Sequence, residues 1–156
     1  MGGSASQCTF DISWDDLHRD ACLLAERLGR EAPFQAIVAI TRGGLVPAMI
    51  VAKELNIRRI ETISIASYNG DNSQGDLKLI KPVCDEILEQ AREGAGVLII
   101  DDLVDTGETL KMVRAMMPKA YYATLYAKPD GLEMVDASIR EIDQKTWVVF
   151  PWDRAP

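Results

Sequence analysis

Histidine and cysteine are scarce in this chain of 156 residues. His18 is the only histidine, and the three cysteines, Cys8, Cys22 and Cys84, are far apart and form no Cys-x-x-Cys pair. An odd number of isolated cysteines argues against a disulfide framework and predicts free thiols in a reducing compartment. Because His18 has no second histidine or cysteine cluster near it in the sequence, we expect it on the surface of the first helix and not at a catalytic centre.

Excess basic charge and long apolar runs are also lacking. The chain has 17 Lys and Arg against 24 Asp and Glu, a net charge of −7, which argues against general nucleic-acid binding because such affinity comes from clustered basic side chains. No apolar stretch approaches the roughly 20 residues that cross a bilayer. The sequence therefore predicts a soluble protein with a single domain over residues 1–156, in which residues 1–7 form a flexible tail. Residues 1–6 formally fit a myristoylation pattern, but a flexible tail or a cloning remnant is the favoured interpretation.

Apolar runs and helical periodicities alternate along the chain, which predicts an α/β fold. Strands are expected at 8–12, 36–40, 59–67, 97–100 and 121–127. Helices are expected from a cap at Ser13 or Asp15 to Gly29, and at 45–55, 83–92 and 108–117. The continuously apolar strands at 36–40 and 97–100 are typical of parallel strands buried on both faces. The polar, turn-forming residues 68–76 predict a mobile loop over a site.

The most informative segment is residues 97–109, in which an apolar strand is followed by acidic residues and by a Thr-Gly turn that opens a helix. We expect Asp101 and Asp102 at the carboxyl end of that strand, where open α/β sheets bind ligands and where two acids can hold ribose hydroxyls and Mg²⁺. Thr106, Gly107 and Thr109 offer N–H groups and hydroxyls at a helix start, which attracts phosphate. This segment predicts a site for a phosphorylated sugar bound with a metal.

Other segments carry groups suited to the same kind of ligand. A glycine pair after a strand, as in Arg42-Gly43-Gly44, lets the backbone approach an anion while the arginine adds charge, although a plain turn is the alternative. Lys128 can donate to the exocyclic oxygen of a purine and Trp147 can stack on its ring. From the residues alone, a surface lysine and a core tryptophan are the favoured interpretations.

The string Ile-Asp-Asp-Leu-Val-Asp-Thr-Gly at 100–107, followed by Thr109, resembles the signature of type I phosphoribosyltransferases that binds phosphoribosyl pyrophosphate (PRPP). Further strings in the same order are similar to the bacterial xanthine-guanine branch of that family. They are Thr-Arg-Gly-Gly-Leu-Val-Pro (41–47), Ala-Ser-Tyr-Asn-Gly-Asp-Asn (66–72), Ala-Lys-Pro (127–129), Thr-Trp-Val (146–148) and Pro-Trp-Asp (151–153). The resemblance implies a mostly parallel, twisted sheet flanked by helices, with a small hood in the C-terminal part.

The resemblance also implies an activity in purine salvage. The phosphoribosyl group of PRPP would move to N9 of guanine or xanthine, and more weakly of hypoxanthine, giving GMP, XMP or IMP and pyrophosphate. A hypoxanthine-guanine enzyme and a non-catalytic PRPP-binding regulatory protein are the alternatives. Mg²⁺ is the implied cofactor. The implied assembly is a cytoplasmic homo-oligomer, expected as a tetramer, with peripheral attachment to the inner face of a bacterial inner membrane as an option.

Individual residues receive roles from the same resemblance. The implied catalytic residues are Asp105, Asp101 and Asp102, and Asp102 is also the implied metal ligand. The residues implied to bind PRPP are Arg42, Gly43, Asp101, Asp102, Leu103, Val104, Asp105, Thr106, Gly107, Glu108 and Thr109. Those implied to bind the purine are Asp105, Lys128, Trp147, Val148 and Asp153, and those of the mobile loop are Ser67 and Tyr68.

The chain departs from the family pattern at two places. Glu108 stands where many relatives carry glycine or another small residue, which puts a carboxylate near the expected phosphate. Residues 74–76 are Gln-Gly-Asp, where relatives often place an arginine in the mobile loop. Lys78 or Lys81 would replace that arginine, or the loop would hold the substrate more weakly.

Overall fold

The computed structural model describes residues 8–31, 33–67 and 76–154. The predictions of an N-terminal tail and of a mobile loop after Ser67 fall on residues outside this range, Asp76 excepted. The strands are β1 (Thr9–Asp11), β2 (Ala36–Thr41), β3 (Ile60–Ser67), β4 (Leu77–Lys81), β5 (Val97–Val104), β6 (Tyr121–Ala127), β7 (Ala137–Glu141) and β8 (Trp147–Val149). The α-helices are α1 (Trp14–Leu28), α2 (Leu45–Glu54), α3 (Asp85–Gln90) and α4 (Glu108–Met116).

Six of the described strands form one sheet in the order β4-β3-β2-β5-β6-β7. All neighbours in it run parallel except the edge pair β3 and β4. β2 and β5 are apolar at every position where they pair with each other, as strands covered on both faces need to be. Ile37 and Leu98 pack with α1 and α2, while Val38 and Ile99 pack on the face of α3 and α4. The predicted mostly parallel α/β fold is confirmed.

The first helix shows how local signals place the elements. Ser13 caps α1: its hydroxyl accepts from the Asp16 N–H at 3.0 Å, and the Asp16 carboxylate accepts from the Ser13 N–H at 3.2 Å. This reciprocal capping box satisfies two N–H groups that the helix leaves unpaired. Of the two caps predicted, Ser13 is therefore correct, and Gly29 ends the helix as expected.

The third helix is shorter than predicted. It covers Asp85–Gln90 within the predicted 83–92 and is followed by a 3-10 turn at Arg92–Gly94. Arg92 and Glu93 have φ values of 30° and 64°, outside the α-helical region, so the helix cannot continue through them.

The hood is a small parallel pair of strands made from both ends of the chain, β1 and β8, with Thr9 opposite Trp147. The rings of Phe10 and Phe150 pack this strand pair against the buried ring of Tyr126, at centroid distances of 6.0 and 5.9 Å. The predicted C-terminal hood therefore also needs the segment before α1. None of the helices in the described ranges has the length and apolarity of a membrane span.

The order of the strands fixes where ligands can bind. From β2 the chain moves outward to β3 and β4, and it then returns to β5 on the other side of β2 before moving outward again to β6 and β7. This reversal makes the carboxyl ends of β2 and β5 a topological switch point, where open α/β sheets leave a crevice.

Candidate active site

Asp101 and Asp102 lie inside β5 and not beyond its end, where the sequence placed them. The strand continues to Val104 because β6 pairs with it that far, whereas the pairing of β5 with β2 stops at Ile100. This part of β5 is therefore held by pairing with β6 on one side, just past the last pair with β2 on the other. Successive strand residues face opposite sides of a sheet, and Asp102 lines one cavity while Asp101 lines another.

The electrostatics of these two acids are unusual. Burial raises the pKa of Asp101 well above its ordinary value, and the neighbouring charge of Asp102 raises it further. Burial also raises the pKa of Asp102, to which the charge of Asp153 adds. Among the described residues, no lysine or arginine forms an ion pair with either carboxylate. The pair is thus well suited to a cation or a polar ligand brought from outside.

The loop after β2 faces Asp102. The peptide bond between Thr41 and Arg42 is cis, and Gly43 lies so close to Asp102 that a Cβ on residue 43 would lie 2.6 Å from Oδ1 of that carboxylate. Arg42, Gly43, Asp102 and Asp153 line one cavity of about 530 Å³. Four of the predicted site residues are therefore brought together here, although the sequence assigned Asp153 to the purine and the others to PRPP.

A second, smaller cavity of about 120 Å³ is formed by the loop between β5 and α4. Its walls are Asp101, Leu103, Val104, Asp105, Thr106, Gly107, Glu108, Thr109 and Leu110. These include most of the predicted PRPP-binding residues, and the cavity lies where the unpaired N–H groups of the α4 N-terminus point. We call it the cradle. Glu108 is exposed as the first residue of α4.

Gly107 caps α4 with a φ of +88°, a left-handed conformation that favours glycine. The sequence analysis expected Gly107 to offer an N–H group to a phosphate. The structure adds a packing role, because a Cβ at Gly107 would lie 2.7 Å from Cγ of Met134 and 3.3 Å from Cα of Gly131. The missing side chain therefore makes room for the 3-10 helix Pro129–Met134, which packs under the cradle.

Beside the cradle, Asp105 is held by two donors. Lys128 Nζ lies 3.1 Å from Asp105 Oδ2, and Gln144 Nε2 donates to Asp105 Oδ1 at 2.7 Å. The Lys128 side chain is 7% exposed and the Asp105 side chain 53%, so a buried ammonium group meets a carboxylate at the water boundary. Lys128 is not the surface residue that its sequence context alone favoured.

The remaining predicted residues are placed as follows. Trp147, on β8, is 59% exposed, whereas Val148 is buried in the core that includes α1. Asp153 closes the turn after β8 by accepting from the Phe150 N–H at 3.1 Å. Ser67 is the exposed last residue of β3, and Tyr68 lies outside the described residues.

Two groups near the site were not predicted from the sequence. Trp14 and Trp152 line the larger cavity from opposite ends of the chain, with ring centroids 6.1 Å apart, and Trp152 stacks on Phe150 at 4.9 Å. Gln144 is the other. The string Pro-Trp-Asp at 151–153 was a usable signal for Trp152, but nothing local in the sequence connects Trp14 or Gln144 to the site.

The geometry defines an α/β protein whose acidic and glycine-rich segments meet at a switch-point crevice, the place where this class binds ligands. Comparison with known proteins identifies the family: the model of the phosphoribosyl transferase domain matches residues 13–155. The chain belongs to the phosphoribosyltransferase family, as its resemblance implied.

Solved structures agree with this assignment. A purine phosphoribosyltransferase from Pyrococcus horikoshii is similar over 95% of both chains, with a TM-score of 0.78 and 26% identity. The xanthine-guanine-hypoxanthine phosphoribosyltransferase of Helicobacter pylori matches over 93% of this chain and 94% of its own, with a TM-score of 0.72 and 20% identity. A Neisseria gonorrhoeae protein solved with bound ppGpp matches over 95% and 90%, with a TM-score of 0.70 and 23% identity. The last two support the fold alone.

Proposed function

We propose that this chain transfers the phosphoribosyl group of PRPP to N9 of an oxo-purine, with guanine and xanthine preferred over hypoxanthine. The observation that carries the proposal is the buried Lys128 ammonium group, held against Asp105 at the edge of the cradle. In this proposal Lys128 is the donor to a purine oxygen and Asp105 the acceptor for a purine N–H, and Asp105 lines the small cavity that would take the phosphate. The similarity to a purine phosphoribosyltransferase supports a purine as the acceptor.

The proposed PRPP-binding roles follow from which residues line each of the two cavities. The cradle at 105–109 would bind the 5′-phosphate through the N–H groups at the α4 N-terminus. Arg42 and Gly43 would bind the pyrophosphate in the larger cavity, across Asp102. Asp101 lines the cradle and Asp102 lines the larger cavity, and both would hold the ribose hydroxyls.

Mg²⁺ fits the same residues. Hard cations prefer carboxylate oxygen ligands, and Asp101 and Asp102 are acids whose raised pKa values reflect burial without a cationic partner among the described residues. Asp102 would hold the ion toward the Gly43 loop. When bound with PRPP, the metal neutralises the charge that develops on the leaving pyrophosphate.

The purine half rests on Asp105, Lys128 and the hood. The N9–C1′ bond forms as the C1′–O bond to pyrophosphate breaks, and the proton on the base moves from N7 to the Asp105 carboxylate. The same carboxylate stabilises positive charge that builds on the ribose. Lys128 would donate to O6 of the base, Trp147 would stack on its ring, and the Val148 backbone and Asp153 would contact its other edge.

We also propose a cytoplasmic homo-oligomer, expected as a tetramer. The exposed apolar side chains of Leu45 and Met49 on α2, 44% and 56% exposed, support an assembly that covers them. Peripheral attachment to the inner face of a bacterial inner membrane rests on the family resemblance alone. Sedimentation analysis of the purified protein tests the assembly.

A steady-state assay of pyrophosphate release tests the activity. The protein is supplied with Mg²⁺, PRPP and one of guanine, xanthine, hypoxanthine or adenine. We expect turnover of the three oxo-purines and rejection of adenine by at least about 100-fold in kcat/KM, because its 6-amino group is a donor and offers the buried Lys128 ammonium group no acceptor. Efficient turnover of adenine would contradict the purine pocket. Tight PRPP binding without turnover of any base would favour a regulatory PRPP-binding protein.

A further inference from the structure

We propose that Gln144 is a positioning residue for Asp105 during the transfer reaction. The role rests on the proposed function, because it concerns how the proton acceptor of that reaction is held. Gln144 lies in the turn between β7 and β8, and it is 39 residues away from Asp105 in the sequence. Its side chain joins the loops that follow β5, β6 and β7.

Both polar atoms of the Gln144 side-chain amide form hydrogen bonds. Nε2 donates to Asp105 Oδ1 at 2.7 Å, and Oε1 accepts from the backbone N–H of Asp130 at 2.9 Å. An ionised carboxylate only accepts hydrogen bonds and a backbone N–H only donates. The two neighbours therefore fix which end of the amide faces Asp105. Asp130 belongs to the 3-10 helix Pro129–Met134 that follows Lys128, so the residue that supports Gln144 is tied to the segment that supplies the lysine.

The need for Gln144 arises when a base is bound. In the structure Asp105 has two donors, Lys128 on Oδ2 and Gln144 on Oδ1. When Lys128 turns its ammonium group toward a purine oxygen, Gln144 is the donor that still holds the carboxylate. Because the Asp105 side chain is 53% exposed, a carboxylate without Gln144 would be free to rotate into water. Gln144 thus keeps Oδ2 available to the base N7–H while Oδ1 is occupied.

The hydrogen bonds of Gln144 do not involve the N–H groups that would bind the 5′-phosphate of PRPP. Its two hydrogen bonds go to the Asp105 side chain and to the Asp130 backbone, whereas a phosphate in the cradle would be bound by backbone N–H groups at the start of α4. Loss of Gln144 should therefore act on the chemical step and on the base, and it should leave PRPP affinity unchanged.

Gln144→Glu is the sharpest test. It keeps the size of the side chain and an acceptor for the Asp130 N–H, but it replaces the donor to Asp105 with a carboxylate. Gln90→Glu is a matched control on α3, because the Gln90 amide also donates to a carboxylate, Glu86 at 3.3 Å, and accepts from Arg59 at 2.8 Å. The measurements are kcat and KM for guanine, the PRPP dissociation constant by calorimetry, and the melting temperature.

We expect Gln144→Glu to lower kcat by roughly 10- to 100-fold, the factor expected when one charge-assisted hydrogen bond is lost in the transition state. The PRPP dissociation constant should stay within about two-fold, and Gln144→Met should also lower kcat because it lacks the donor. Gln90→Glu should leave kcat unchanged. Wild-type kcat in Gln144→Glu would overturn the role of Gln144, as would equal losses in PRPP affinity and kcat. A wild-type protein that turns over no purine would instead overturn the proposed function itself.

Discussion

The backbone of Gly43 lies against the carboxylate of Asp102, so a Cβ on residue 43 would overlap that side chain. The contact joins the loop after β2 to the acid on β5 at the switch point of the sheet. The same two residues line the larger cavity together with Arg42. The position of Asp102 therefore depends on the absence of a side chain at residue 43.

Gly43→Ala should weaken PRPP binding with little loss of stability. The added methyl group meets a side chain that can rotate, so the fold can be kept while Asp102 is displaced. We expect at least a 10-fold loss of affinity for PRPP with Mg²⁺ by calorimetry, a loss of about 1.4 kcal/mol or more. Gly29→Ala is the control, because a Cβ there is 3.5 Å from its nearest neighbours. Unchanged PRPP affinity in Gly43→Ala would remove this contact from the site.

Asp101→Asn should stabilise the ligand-free protein at neutral pH. Burial and the charge of Asp102 raise the pKa of Asp101 in the folded chain, so the folded state binds this proton more tightly than the unfolded state does. The stability that protonated Asp101 contributes is full below the unfolded pKa and is lost as pH rises through the raised pKa. Asparagine cannot lose this proton, so the Asp101→Asn variant should not show that loss of stability as pH rises.

Melting temperatures measured without Mg²⁺ or PRPP, between about pH 4 and pH 8, test this linkage. The gain of Asp101→Asn over the wild type should be largest at the upper end and should shrink toward the lower end. Asp15→Asn, an exposed change in the first turn of α1, should show no such gain. A stability difference that does not vary with pH would contradict the raised pKa.

Gly107→Ala should be destabilising for two reasons that can be separated. The position has a φ of +88°, and an added Cβ would lie 2.7 Å from Cγ of Met134. Gly96→Ala shares only the first cost, because its φ is +78° but its nearest neighbour is 3.6 Å away. In urea unfolding we expect a loss of about 1 kcal/mol for Gly96→Ala, and a larger loss for Gly107→Ala. Equal losses would show that Met134 gives way.

Elements with a strong local signal could be predicted from the sequence. The continuously apolar runs gave β2 and the first half of β5, since strands that are buried on both faces need apolar residues at every position. The sequence offered Ser13 or Asp15 as the cap of α1 and Gly29 as its end, because helix caps involve residues only a few positions apart. The acids at 101 and 102 were expected at the carboxyl end of the strand 97–100, and they lie in the carboxyl-terminal half of β5, which continues to Val104.

The features that were missed depend on partners far away in the sequence. β5 continues through two aspartates because β6 pairs with Asp101 and again with Leu103 and Val104, although Asp is depleted in strands. β8 exists only with β1 as its neighbour. Trp14 and Trp152 meet only once the hood has formed, and the side-chain partner of Gln144 is on another loop. Local patterns carry no information about such contacts.

The effect of Lys128→Met on guanine turnover and on PRPP binding, measured separately, tests the proposed role of Lys128. The substitution keeps an unbranched side chain in a buried position and removes the donor beside Asp105. We predict that kcat/KM for guanine falls roughly 10- to 100-fold, the factor that corresponds to one hydrogen bond to a charged group. The PRPP affinity measured by calorimetry should stay unchanged. Trp147→Ala should instead raise the KM of every purine alike, because stacking does not depend on the groups at the ring edge. An unchanged kcat/KM for guanine in Lys128→Met would show that Lys128 and Asp105 do not form the purine-recognition pair.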